Sequence, residues 1–153
     1  MTAAEKTRLI QLLQETHRET ASALADIDPD VVLHPDTGWR VRDIVAHLAA
    51  WEIEAAAALR AAQRGERHTI AEKTIDAFND RAHEQRKDLP VEQVYAEWEA
   101  AHADFVAALE ETPPDLFGTQ FTLPWRVRGT VNLLIEGMAL HEVEHRDEVL
   151  RSA

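Results

Sequence analysis

The chain has 153 residues, with 16 Lys and Arg against 28 Asp and Glu, a formal charge of −12 and no cysteine. That length suits one hydrophobic core, and a content of 45% hydrophobic residues with few glycines and prolines excludes a disordered or collagen-like chain. The acidity argues against nucleic acid or an anionic membrane as partner, and the lack of cysteine excludes disulfides, a thiolate nucleophile and sulfur-ligated zinc.

Apolar residues recur at spacings of three and four rather than two, so the chain is expected to be all-α, with no strand of useful length. From Ala3 to Ile27, the residues Leu9, Leu12, Leu13, Leu24 and Ile27 mark a first helix, with Thr2 as its cap and Glu5 completing a capping box. Asp28-Pro29-Asp30 ends it. A connector to Gly38 leads to a second helix over Trp39 to Arg64, striped by Val41, Ile44, Val45, Leu48, Trp51, Ala55 and Leu59. Trp39 is placed to staple its first turn and Gly65 to stop it.

The stretch Thr69 to Lys87 is more polar; Ile70, Ile75 and Phe78 predict a short helix that crosses between bundle members. Asp88 is the expected cap of a helix over Pro90 to Glu111, with Val91, Val94, Tyr95, Trp98, Phe105 and Leu109 inward. After Pro113-Pro114, an irregular segment anchored by Phe117, Phe121 and Trp125 covers one end of the bundle. The last helix, Gly129 to Arg151, carries Val131, Leu134, Ile135, Met138, His141, His145 and Val149 on one face. Four long helices with one apolar stripe each bury those stripes together as a four-helix bundle, and the long joints require a crossover connection. One domain over residues 1–153 is expected. The start lacks a secretory pattern and no apolar run is long enough to span a bilayer, so the expected location is cytoplasmic.

Histidine is the unusual residue, with 8 in the chain. His141 and His145 lie four apart, on one helix face, at stripe positions where Leu or Ile normally sits. The HxxxH spacing alone is a weak signal, but burying two unpartnered imidazoles costs about 1–3 kcal/mol each and calls for a ligand. His47, three residues after Ile44 and four before Trp51, borders the stripe of the second helix. Three imidazoles from two facing helices make a half-open site for nickel, zinc or iron, with positions left for water and substrate. The competing reading is three packed, hydrogen-bonded core histidines. His17 and His102 are further inward positions, either extra ligands or donors to them, whereas His34, His68 and His83 read as loop or surface residues. Asp43, Glu142 and Glu144 are carboxylates near enough in sequence to orient an imidazole or to be solvated. His141-Glu142-Val143-Glu144-His145 also satisfies HExxH literally, which would make Glu142 a general base, but the strand that accompanies that motif in zincins is lacking. Trp51, Trp98 and Trp125 are candidate pocket walls.

The segment Gly38-Trp39-Arg40-Val41-Arg42-Asp43-Ile44-Val45-Ala46-His47-Leu48-Ala49-Ala50-Trp51-Glu52 resembles the second-helix signature of the DinB-like superfamily, W-[ST]-V-[KR]-D-[IV]-[LV]-A-H-L-x-x-W-E, and His141 to His145 resembles its final-helix HxxxH. Asn79, ahead of the third long helix, is similar to an Asn of the ClbS/DfsB branch. The resemblance implies an up-down-down-up bundle, a homodimer, and a divalent metal ion held by His47, His141 and His145. It also implies a small-molecule substrate and, in thiol-dependent S-transferases and isomerases, an external low-molecular-weight thiol such as mycothiol, bacillithiol or glutathione. Other relatives are hydrolases that disarm cyclopropane natural products. Arg40 stands where Ser or Thr is common, which predicts a weaker cap. Two functions follow as expectations: a metal-dependent hydrolase or thiol transferase, and a metal-free bundle that sequesters a small molecule or protects against stress.

Overall fold

The computed structural model describes residues 3–153. Five α-helices form it: α1 (Ala3–Leu24), α2 (Val41–Gln63), α3 (Ile75–Arg86), α4 (Val91–Glu111) and α5 (Val131–Ser152). Thr2, the expected cap of α1, lies outside the described residues. The fold is mostly helical as expected, but two antiparallel ribbons correct the expectation of no strands. β1 (Val32–His34) pairs with β2 (Trp39–Arg40), and β3 (Phe121–Thr122) with β4 (Arg128–Gly129). Strands this short carry too few alternating residues to stand out in the sequence.

Helix ends follow local chemistry. Gly65, at φ +71°, closes α2: its N–H donates to Ala62 O and the Glu66 N–H to Ala61 O, a Schellman arrangement that satisfies two carbonyls at once. α1 stops at Leu24, three residues short of the expected end, and α3 starts at Ile75 because the Thr74 hydroxyl accepts the Ala77 N–H at 3.1 Å. Asp88 is not the cap of α4; Pro90 occupies that position and its carbonyl accepts the N–H groups of Gln93 and Val94.

Long-range side-chain contacts give the helix directions. Arg8 pairs with Glu136 and Arg146 with Glu19, so α1 and α5 run parallel. Arg42 reaches Leu89 O at one end of α2 and Gln63 reaches Ala108 O at the other, so α2 and α4 also run parallel. Lys6 at the start of α1 meets Thr112 O after α4, while His17 meets Glu99, so the two pairs are mutually antiparallel. The result is the expected up-down-down-up bundle, and α3, packed on α2, lies in the crossover that two parallel neighbours require.

The core has two halves. One centres on Leu9, Leu59, Phe105, Leu109, Leu134 and Ile135, the other on Leu24, Val41, Ile44, Val45, Val94 and Val149. Each such side chain contributes about 1.5–3 kcal/mol on burial. Phe117, Phe121 and Leu123 close one end from the segment after α4, as the aromatic anchors predict. Among the described residues no helix is long and apolar enough to cross a membrane.

Candidate metal centre

α2 supplies His47 and α5 supplies His141 and His145, one turn apart on the face that meets α2. Antiparallel packing brings the three rings together. The Nε2 of His141 lies 3.1 Å from the Nε2 of His47 and 3.1 Å from that of His145. The rings cross at 55–90° instead of stacking, so their nitrogens aim inward from different directions. For metal–nitrogen bonds of about 2.0–2.1 Å, neighbouring ligand atoms sit about 3.0–3.4 Å apart, so the observed spacing fits one first-row cation. Hydrogen bonding alone does not satisfy this arrangement: the His141 Nε2 carries either one proton or one lone pair, enough for one well-formed hydrogen bond, yet it faces two other ring nitrogens.

Burial keeps the rings of His47 and His141 neutral, with their lone pairs free for a cation. Burial, and then the charges His141 and His145 would carry, push His47 down to about 2; burial and His145 push His141 down to about 4. On the far side of His145, Nδ1 is 3.6 Å from Glu148, which also meets His34 at 3.4 Å. Glu148, not the expected Asp43, Glu142 or Glu144, is therefore the carboxylate beside the triad, legible in sequence only as an i, i+3 neighbour of His145.

Asp43 is buried and serves the helix start. Its carboxylate accepts the Arg40 backbone N–H at 2.8 Å and the Arg40 guanidinium at 2.8 and 3.1 Å, with His83 3.4 Å away. Burial alone would raise its pKa; the Arg40 hydrogen bonds outweigh burial and hold it below the ordinary value. Arg40 makes no side-chain cap bond to the helix N–H groups, as its departure from Ser or Thr predicts; it ties the helix start down through its ion pair with Asp43 instead. His83 is likewise no simple surface residue: it stacks on Trp39 at 4.7 Å. His34 borders the pocket, and His68 pairs with Glu54.

The triad opens on a cavity of about 700 Å³ walled by Trp39, Trp51, Trp125, Ile44 and Met138. Trp51 and Trp125 are the walls expected; Trp98 is not one, and Trp39 takes its place. The Trp51 indole N–H donates to Asn79 Oδ1 at 2.9 Å, which fixes the amide and leaves its NH₂ as the remaining donor. Asp76 and Asp80 of α3 line the same cavity, and its lining among the described residues includes no Lys or Arg.

Glu142, His17 and His102 do not join the triad. Glu142 is buried on another face of α5, which removes it from the general-base position HExxH implies. It gathers with His17 of α1 and Glu52 of α2, and His102 stacks flat on His17 at 3.9 Å. Burial raises Glu142 to about 7 and Glu52 well above its ordinary value, and it lowers His102 to about 4. Glu52 was legible only as the last residue of the α2 signature, with nothing to show that it points inward.

The family described as the mycothiol maleylpyruvate isomerase N-terminal domain matches residues 10–147. The crystal structure of the mycothiol-dependent maleylpyruvate isomerase aligns with a TM-score of 0.78 and 17% identity, over 97% of this chain and 63% of that one. A histidine-to-alanine mutant of that isomerase aligns with a TM-score of 0.78 and 16% identity over the same shares. The chain spans less than two thirds of the length of those solved proteins. No curated protein matches. These likenesses bear out the DinB-like fold; the finer similarity to the ClbS/DfsB branch finds no support in them.

Proposed function

Because the chain belongs to the mycothiol maleylpyruvate isomerase N-terminal domain family, we propose that it is a metal-dependent enzyme that sets a low-molecular-weight thiol, or water, against a small electrophile. The observation that carries this reading is the convergence of three Nε2 atoms, 3.1 Å apart around His141, on the wall of a large cavity. His47, His141 and His145 would hold a divalent cation, which would supply Lewis acidity to make a thiol or water nucleophilic near neutral pH. His47 and His141 contribute neutral rings whose lone pairs need no deprotonation first. Glu148 places a carboxylate 3.6 Å from His145 Nδ1, on the side away from the triad. Asn79, held by Trp51, presents an N–H donor to a carbonyl or developing oxyanion, and the indoles of Trp39, Trp51 and Trp125 keep bulk water from the reacting groups. Mycothiol is the first thiol to try, since it is named for the solved relative.

The charge of the cavity narrows the electrophile. Asp76 and Asp80 offset the charge a bound dication would bring, and no lining Lys or Arg is left to pair a substrate's carboxylates, which favours an uncharged or cationic substrate over a dicarboxylate. The test is metal content of tag-free protein, followed by turnover of neutral electrophiles with mycothiol, bacillithiol or glutathione. Wild type is expected to hold an ion that His141→Ala loses, together with thiol-dependent turnover. Absence of metal-dependent turnover with every thiol and with water refutes the enzyme reading.

A further inference from the structure

We propose that His17, Glu52 and Glu142 form a second divalent-cation site, buried in the bundle core and distinct from the three-histidine cluster. One donor atom from each lies within 4.8 Å of the other two, and all three residues are more than nine-tenths buried. They come from α1, α2 and α5, the arrangement by which bundle cores build metal sites from facing helices.

The hydrogen bonding shows what is missing. His17 Nε2 lies 2.9 Å from Glu99 Oε2, and a carboxylate there accepts, so Nε2 carries the proton and Nδ1 keeps its lone pair. That Nδ1 is buried without a hydrogen-bond partner, and so are Glu52 Oε2 and Glu142 Oε1. His17 Nδ1, Glu52 Oε2 and Glu142 Oε1 are thus three buried electron-pair donors, on three residues that lie together, without a well-formed hydrogen bond. The Trp98 indole N–H is nearby but makes no well-formed hydrogen bond, and His102 Nδ1 stands 3.8 Å from Glu52 Oε2, too far for one. Arg146, whose charge acts on Glu142, makes its hydrogen bonds to Glu19 and Thr20 instead.

Without an ion, burial favours the protonated acids of Glu52 and Glu142; one dication takes the place of those protons and accepts all three lone pairs. Closing the group onto one ion at bonds of about 2.0–2.2 Å needs inward shifts of about 1 Å, within reach of glutamate side chains. A cavity of about 20 Å³ bordered by Glu52 and Glu142, and also by His102 and His141, has room for one water beside the two carboxyl groups. Mixed imidazole and carboxylate ligation suits zinc, manganese or iron(II). Filling the site ties α1 and α2 to the turn of α5 that bears His141.

The test is titration of the tag-free full chain with Zn²⁺ or Mn²⁺, read as bound ion per chain after buffer exchange. Wild type is expected to bind two equivalents. The triple variant His47→Ala, His141→Ala, His145→Ala is expected to retain one, with a raised Tm on metal addition. Glu52→Gln, which keeps the side-chain shape, is expected to weaken that equivalent at least about 100-fold while the triad equivalent stays. A triple variant that binds no ion and shows no rise in Tm on metal addition overturns the proposal, as does an equivalent retained by the triple variant that a further Glu52→Gln leaves intact. Loss of the triad ion alone bears on the proposed enzyme activity and not on this site.

Discussion

Asp43→Ala tests whether the start of α2 is held as the coordinates show. The carboxylate is 3% exposed and accepts the Arg40 backbone N–H and the Nε and Nη2 N–H groups along one edge of its guanidinium. Removing an N-terminal cap costs about 1 kcal/mol, and removing one partner of a buried ion pair costs about 3–5 kcal/mol. Arg40 is partly exposed and keeps its hydrogen bond to Lys87 O at 2.9 Å, which places the loss toward the low end, about 2–4 kcal/mol in all. For a chain of this length that is a fall in Tm of roughly 6–12 °C. Asp43→Asn, which still offers one acceptor oxygen, is expected to lose about half as much. The assay is urea unfolding of both variants, with Tm from calorimetry. The folded pKa of Asp43 is lowered, so its stabilisation is present above the unfolded value of about 3.9 and is lost as pH falls through the folded one. The wild-type advantage over Asp43→Ala therefore shrinks only in strong acid. A loss below about 0.5 kcal/mol near neutral pH would refute the reasoning.

Three further outcomes are expected. His47 has a folded pKa depressed to about 2, so in metal-free protein the unfolded chain takes up the proton first and stability falls as pH drops below the unfolded value of about 6.5. Between pH 7 and pH 5, wild type should lose about 2 kcal/mol more than His47→Leu in paired urea titrations; equal losses would show that the ring is solvated. Asp76→Asn combined with Asp80→Asn should raise kcat/KM for a carboxylate-bearing electrophile by about 5–10-fold and leave a neutral one unchanged; a uniform change would remove the electrostatic argument. Gly129→Ala puts a Cβ 2.8 Å from both Leu123 Cδ1 and Leu133 Cδ2, and because Leu123 is fully buried the variant should lose about 1–3 kcal/mol by thermal unfolding. An unchanged Tm would mean that the β3–β4 ribbon yields freely.

The sequence by itself determined the helices and the inward placement of His47, His141 and His145, because helical period is a local property and an imidazole on an apolar stripe breaks that period visibly. It also located the stop at Gly65 and the aromatic cover at Phe117, Phe121 and Trp125. Only tertiary structure decided which helix faces meet. The parallel α1–α5 and α2–α4 pairs bring His17, Glu52 and Glu142 together from positions that share no local pattern, and turn Glu142 away from the triad despite the literal HExxH. The same long-range packing makes Asp43 a buried cap partner, sets His83 against Trp39, and selects Trp39 over Trp98 as a pocket wall. Burial of a polar side chain depends on what other helices place over it, and a single chain segment holds no record of that.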